Sequence, residues 1–546
     1  MASPPAAAVP PPPTASSLGS IAGSLAGGAL AAPAAAAAAP AEALSVLVCV
    51  IGGGMSGLCV ANRLVARRGR GVLPSLVVLE REAEVGGTWA CAANYPGAAC
   101  DVPSHLYAYS FALNPNWSRT FSKAVEIREY LARVAADTGL VPGSPSLRTG
   151  VHVDSATWDA RAGLWRVCAH SVVSGARLEI AARFLVSAVG ALYVPALPAI
   201  PGAGDFLGSA FHAARWRSDV PIEGRRVAVV GVGASAVQIV PEVAKVASHL
   251  DVFQRTPSWI IARRDRPSSA RARWLFSVCP PLLWAWNLSV FVQLDVMFHI
   301  LIRPTWSMMR PYAIELARRH LRRAVPAGPL RDALTPHYEM GCKRVLLSNE
   351  FYPALTRPNV ELVTSPISRI TPRGLLTADG AEHPVDVLVY ATGFDVIGSV
   401  AALPIIGAGG VDLREQLRGD GESYLGVGVA GFPNFFMCLG PNTGLGHNSI
   451  IAMVECQVRL MLPLMERAEA AGPTAAIAPR AAAQKELSAR TQDALKTTVW
   501  GACASWYNQQ GKHNTTMWPW TVTAYWWETL WPRYADFEVT VDGAEQ

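Results

Sequence analysis

A doubly wound α/β architecture with two nucleotide sites is predicted by two stretches of the chain. The run "LSVLVCVIGGG" is apolar and β-rich, ends in glycines, and leads into "MSGLCVANRLVARRG" with helical spacing, then into a second strand, "LVVLER". The same order returns in "RRVAVVGVGASAVQIVPEVAKVASHLDVFQRT". Two β-α-β units of this kind make two Rossmann-like dinucleotide-binding domains. The 546 residues leave room for two or three domains and a large core.

In the first unit, Gly52, Gly54 and Gly57 stand as G-x-G-x-x-G between strand and helix. The first glycine permits the tight turn, the second lets the backbone approach a pyrophosphate, and the third allows close helix–strand packing. The helix N-terminus then faces the phosphates. The following strand ends at Glu80, where a carboxylate can hold ribose hydroxyls and repels a 2′-phosphate. That favours FAD or NAD. A solvated strand end is the plain alternative for Glu80 alone.

The second unit carries Gly231, Gly233 and, in the third position, Ala236, which is still small enough for close packing. Its second strand ends in Gln254-Arg255-Thr256. A guanidinium in that place can hold a 2′-phosphate by charge-assisted bonds, so the two sites have opposite preferences: FAD first, NADPH second. Together they imply hydride transfer to flavin. A disulfide reductase would need two closely spaced cysteines after the first unit. Cys91 and Cys100 are the nearest pair and fit that spacing poorly.

The chain thus divides into four parts. Residues 1–44 are an Ala/Pro-rich segment expected to be disordered. Residues 45–190 form the first part of the FAD-binding domain. The NADP-binding domain spans 191–385, with a helical insert at about 262–338. Residues 386–546 return to the FAD-binding domain and end in an aromatic C-terminal region. Within the insert, "RWLFSVCPPLLWAWNLSVFVQLDVMFHILI" is apolar, broken early by Pro280 and Pro281 and interrupted by Asp295. A buried or partly membrane-facing insert, giving peripheral membrane contact, is favoured over a true span.

The net charge of +6 is mild and scattered, which gives nucleic-acid binding no support. Ten cysteines without a C-x-x-C pair suggest neither a zinc site nor a disulfide framework; no metal is expected, and reduced thiols are. The N-terminal segment lacks the pattern of a secretory signal or the arginines of a mitochondrial presequence. The cytoplasm is the expected location, with organelle targeting by that segment as the alternative.

The stretch Phe206-x-Gly208-x-x-x-His212-x-x-x-Trp216, just before the second glycine loop, resembles the fingerprint of type I Baeyer–Villiger monooxygenases, class B flavin enzymes. It departs from that fingerprint in Arg217, where the family has Pro or Asp. "GGTW", "NYPGAACDVPSHLYAYSF", "FQRTPSW", "GCKRVLLSNEFYPAL", "VLVYATGFD" and "GPNTGLGHNS" are also family-like, in this order, across nearly the whole chain from residue 45. The resemblance implies FAD and NADPH as cofactors and oxygen insertion beside the carbonyl of a lipophilic ketone or aldehyde through a C4a-peroxyflavin.

By the same resemblance, Arg344 is the cation that stabilises the peroxide and the tetrahedral adduct, and Asp101 holds it in place. Gly87, Thr88 and Trp89 contact the flavin. Lys343 reaches the 2′-phosphate together with Arg255 and Thr256. Thr392 and Gly393, after Ala391, mark the return to the flavin domain, Trp506 closes over the nicotinamide, and His212 couples the domains. Three other functions stay open on the residues alone: an N- or S-oxidising monooxygenase, an uncoupled NADPH oxidase releasing H2O2, and a non-catalytic dinucleotide binder.

Overall fold

The computed structural model describes residues 42–68, 75–90, 94–303, 309–501, 513–541 and 544–545. Most of the segment expected to be disordered lies outside them, but its last three residues, 42–44, already belong to a strand. That strand, β1 (Glu42–Ile51), buries its last four residues, as a central strand covered on both faces must. It feeds α1 (Met55–Arg68) and the wholly buried β2 (Leu76–Leu79). After α2 (Ala124–Asp137) come β3 (Leu147–Arg148), β4 (Val151–Asp159), β5 (Leu164–Ser171) and β6 (Arg177–Ser187). β1 runs parallel to both β2 and β6, while β4, β5 and β6 form an antiparallel meander. The first unit is therefore built on a mixed sheet.

The second sheet begins with β7 (Ser209–His212), β8 (Arg226–Val230), α3 (Ala234–Val246) and β9 (His249–Phe253). The short β10 (Ile260–Ile261) opens the insert, which consists of α4 (Ala270–Val278), α5 (Pro280–Leu301), α6 (Arg310–Ala324) and α7 (Pro329–Ala333). β11 (Leu346–Leu347) pairs with β10 and closes it. Next come α8 (Phe351–Leu355), β12 (Val360–Val363), a small antiparallel sheet of β13 (Ile367–Thr371), β14 (Gly374–Thr377) and β15 (Glu382–Pro384), and then β16 (Val387–Tyr390).

β16 lies in parallel between β7 and β8, in the order β12-β9-β8-β16-β7. The boundary expected at 385/386 thus falls one strand early. All four residues of β16 are buried, as a strand paired in parallel on both edges and covered on both faces must be. The chain then returns through α9 (Val396–Val400), β17 (Ile405–Ile406), α10 (Leu413–Arg418) and β18 (Phe435–Met437), with β17 joining β4 and β18 joining β6. The long α11 (Ile450–Ala471) packs beside α1 over the first sheet. The remainder is β19 (Ala476–Pro479), α12 (Ala481–Lys496), α13 (Val522–Glu528), β20 (Phe537–Val541) and β21 (Ala544–Glu545).

Aromatic side chains anchor these layers. Trp165 is fully buried on the far face of the first sheet and donates its indole N–H to the Pro433 carbonyl at 2.9 Å. Trp518 and Tyr525 fill the core under α11, whereas Trp527 and Trp531 of the same C-terminal region are exposed. Pro280 and Pro281 do not break a helix internally. They occupy the first turn of α5, where a missing N–H costs nothing, and the joint with α4 falls at Cys279. Cys342 is disulfide-bonded, against the expectation of reduced thiols throughout.

Candidate functional site: a cleft between two glycine loops

The turn after β1 depends on its glycines. Gly52 has φ 105°, and a Cβ on it would lie 2.5 Å from the Ala188 carbonyl oxygen. A Cβ on Gly57 would lie 1.9 Å from the Gly52 carbonyl oxygen, so α1 can approach the strand only with glycine there. Gly54 faces Gly87 across the loop, and the Gly86 amide donates to the Gly53 carbonyl at 2.9 Å. Thr88 and Trp89 follow in a single 3-10 turn, and the Trp89 indole donates to the Tyr107 hydroxyl at 3.0 Å. Glu80 is buried at the end of β2 and accepts from the amides of Gly53 (2.7 Å) and Glu82 (2.9 Å). Burial pushes its carboxyl up, and those two amides pull it part of the way back.

The second loop repeats the cradle. Gly231 has φ 113°, and a Cβ on it would meet the Ala391 carbonyl oxygen at 2.5 Å. Ala236, in the first turn of α3, is fully buried. Behind the loop, the Thr392 hydroxyl donates to the Ala196 carbonyl at 2.6 Å and Gly393 takes φ 89°. Beyond β9, Arg255 and Thr256 share the rim with Lys343. The Lys343 ammonium is held below its ordinary pKa by burial and by the nearby Arg255. Two cations brought together, with no carboxylate ion-paired to either among the described residues, suit a doubly charged phosphate.

Both loops open into one cavity of about 2480 Å³, far above the ~300–1,000 Å³ of a single-ligand pocket. Its size and its two glycine cradles fit FAD and NADP side by side. Arg344 and Asp101 line the same cavity, 243 residues apart in sequence. Arg344 Nη2 donates to Asp101 Oδ2 at 2.7 Å and Nη1 to the Leu445 carbonyl at 3.1 Å. The pair is partly open to the cavity, with side-chain exposures of 29% and 37%. A guanidinium fixed at two points on the wall of this shared cavity can stabilise negative charge on an oxygen without losing its own proton.

The family model for flavin-binding monooxygenase-like proteins matches residues 46–268. A Baeyer–Villiger monooxygenase of Streptomyces coelicolor is 41% identical over 90% of this chain and 92% of its own length. Another, of Pseudomonas aeruginosa, is 36% identical over 88% and 89%. The chain belongs to the Baeyer–Villiger monooxygenases. A closed cyclohexanone monooxygenase is similar in structure, with a TM-score of 0.79 over 91% of this chain and all of that one, at 27% identity. As a member of this family, the chain is a flavin-dependent, NADPH-consuming monooxygenase.

His212 ends β7, opposite Tyr390 of β16, and packs edge-on to Phe394 with ring centroids 5.5 Å apart. Its Nδ1 accepts from the Ala214 amide at 3.1 Å, and burial pushes its pKa down to about 4, offset in part by the Gly393 backbone. It therefore sits at the joint between the second sheet and the chain returning to the first. Trp506 lies outside the described residues.

Sequence reasoning missed two connections. Gln238 on α3 bonds the Tyr95 hydroxyl (3.2 Å) and both the N–H (3.2 Å) and carbonyl (3.0 Å) of Ala99, tying the second unit to the loop that carries Asp101. Its only signal was a polar residue inside the apolar run "ASAVQIV". Asp295, read as an interruption of the apolar insert, is a buried hub instead. Its carboxylate accepts from Asn448 Nδ2 (3.1 Å), the Val522 amide (2.9 Å), and the Thr523 amide (3.2 Å) and hydroxyl (2.6 Å), with His447 Nε2 at 3.5 Å. Burial alone would raise this carboxyl, yet the donors, His447 first, hold it down at about 2. Asn448 lines the cavity, so Asp295 connects α5 to the site wall.

Proposed function

We propose that this monooxygenase converts a lipophilic ketone or aldehyde into an ester or lactone, and that its apolar insert touches a membrane. The observation that carries the carbonyl chemistry is Arg344, braced by Asp101 and the Leu445 carbonyl on the wall of the shared cleft. FAD reduced by NADPH supplies the activation of O2. Glu80 holds the flavin-side ribose, and Gly54, Gly87, Thr88 and Trp89 shape the floor of that site. Arg255, Thr256 and Lys343 grip the 2′-phosphate of NADPH, against the second loop at Gly231 and Gly233. Arg344 stabilises the developing oxyanion, Asp101 sets its orientation, His212 couples the two units, and Trp506 closes the site against water. The apolar majority of the cavity wall favours a lipophilic substrate.

Replacing Arg344 with Ala tests this reading. Lactone formation from a ketone panel should fall by roughly a thousandfold or more, while NADPH oxidation continues with release of H2O2 and any sulfoxidation survives. An Arg344→Ala enzyme that still makes lactone at the parent rate removes the proposal. We also place the protein in the cytoplasm. A fluorescent fusion of residues 1–44 that enters an organelle would move it there.

A further inference from the structure

We infer that α4 and most of α5 lie face-down on an anionic bilayer surface. From Trp274 to Leu294 the chain carries no charged residue. On α4, Arg271, Trp274, Leu275 and Val278 fall at i, i+3, i+4 and i+7, the spacing of a stripe that a globular helix buries. Here the stripe faces outward, with Trp274 66% and Val278 57% exposed. The inner side of α4 is taken by Phe276, which packs against His105 and against Trp286 of α5.

α5 repeats the inversion at greater length. It has 22 residues and is apolar enough to cross a membrane by length and composition, yet only 17% of its apolar window is buried in the protein. Its inner side is fixed to the body: Leu283 and Phe298 are buried, Asn287 bonds the His105 carbonyl, and Asp295 holds the chain at 448 and 522–523. Its outer side presents Trp284, Leu288, Val292 and Val296. A helix pinned along one flank cannot leave to span a bilayer, but it can seat its other flank among acyl chains, with tryptophans at the headgroup level. A contiguous apolar surface of this kind is rare on a soluble monomer.

Charge selects the occupant. Arg264, Arg266, Arg271 and Arg273 lead into the patch, and none pairs with a carboxylate among the described residues. The one acid among them, Asp265, is engaged by Arg119 at 2.9 Å. A second copy of this face would bring the same arginines and no acid, whereas anionic phospholipid headgroups are their counter-ions. Docking also brings a lipid-dissolved carbonyl compound to the element that is bonded to the cavity wall at Asn448. That last point rests on the proposed substrate class; the docking does not.

The test is flotation of the FAD-loaded full chain with vesicles of phosphatidylcholine alone or mixed with phosphatidylserine. The mixed vesicles should carry roughly tenfold more protein, and raised salt should abolish the difference. The triple variant Trp274→Ser, Trp284→Ser, Trp286→Ser and the double variant Arg271→Glu, Arg273→Glu should each lose roughly tenfold in binding. Both should keep flavin absorbance and turnover of a water-soluble ketone. Absence of flotation overturns the inference, as does unchanged flotation of both variants. A concentration-dependent dimer that the triple variant dissolves overturns it too, since a second copy would then cover the patch. Vesicle binding without ketone oxidation would leave docking intact and remove only the substrate reading.

Discussion

The two glycine loops share a backbone design and differ in how much of the ligand's charge the protein meets by itself. In the first, the acidic residue at the end of β2 is buried and held by its own loop, accepting one amide on each oxygen, from Gly53 and Glu82. In the second, burial and then the nearby Arg255 hold Lys343 below its ordinary pKa, and no acid pairs with either cation among the described residues. The first loop is preorganised by protein hydrogen bonds, and the second is completed only when an anion arrives. A carboxylate that shapes its own turn can be present before the cofactor, whereas a pair of cations gains most from being filled.

The largest effect that could break this comparison is steric. Gly57→Ala places a methyl group 1.9 Å from the Gly52 carbonyl oxygen, whereas a Cβ on Gly233 meets nothing within 4 Å. Gly57→Ala should purify nearly colourless, and Gly233→Ala should keep its flavin. The ratio of absorbance at flavin and protein wavelengths reports both. Equal flavin content in the two variants would show that the cradle is not set by close packing.

A smaller effect sharpens the electrostatic contrast. Lys343→Ala and Arg255→Ala should each raise KM for NADPH by roughly ten- to a hundredfold, the worth of one charge-assisted hydrogen bond, and leave KM for NADH nearly unchanged. Steady-state assays with both coenzymes decide it; a matched rise for NADH would detach these cations from the 2′-phosphate.

The last effect falls on the joint between the units, is nil at neutral pH and appears only in acid. His212 is buried with its pKa lowered from 6.5 to about 4, so the folded state disfavours its charged form. The stability it contributes is complete above the unfolded-state value near 6.5 and is lost as pH falls from there toward 4. The loss is at most about 3 kcal/mol. Thermal melts of wild type and His212→Gln should therefore converge as the pH drops through that window. Parallel curves would mean that the imidazole titrates alike in the folded and unfolded states, and that burial does not disfavour its charge.

What the sequence disclosed follows from chain distance. Gly52, Gly54, Gly57 and Glu80 lie within one β-α-β unit, so spacing alone exposes their geometry. Arg344 and Asp101 stand 243 positions apart; only resemblance to a family brought them together, and no periodicity could. Gln238 bridges 139 positions to Ala99 and left no local trace beyond its polarity. The end of the second unit was misplaced because "VDVLVY" reads as a strand of either sheet. The insert was ambiguous for a different reason: α5 is apolar on both flanks, and hydrophobic periodicity separates inside from outside only when one flank is polar.

Asp295 carries one more consequence, for biogenesis. Its acceptor oxygens belong to the middle of the chain, but their donors sit at Asn448, Val522 and Thr523, more than 150 and more than 220 residues downstream. While the polypeptide is being synthesised, the inner end of this insert cannot be locked to the body until residues 522–523 have left the ribosome. The outer greasy flank is exposed throughout that interval, so a truncated nascent chain would offer chaperones a hydrophobic surface with nothing yet to hold its inner side.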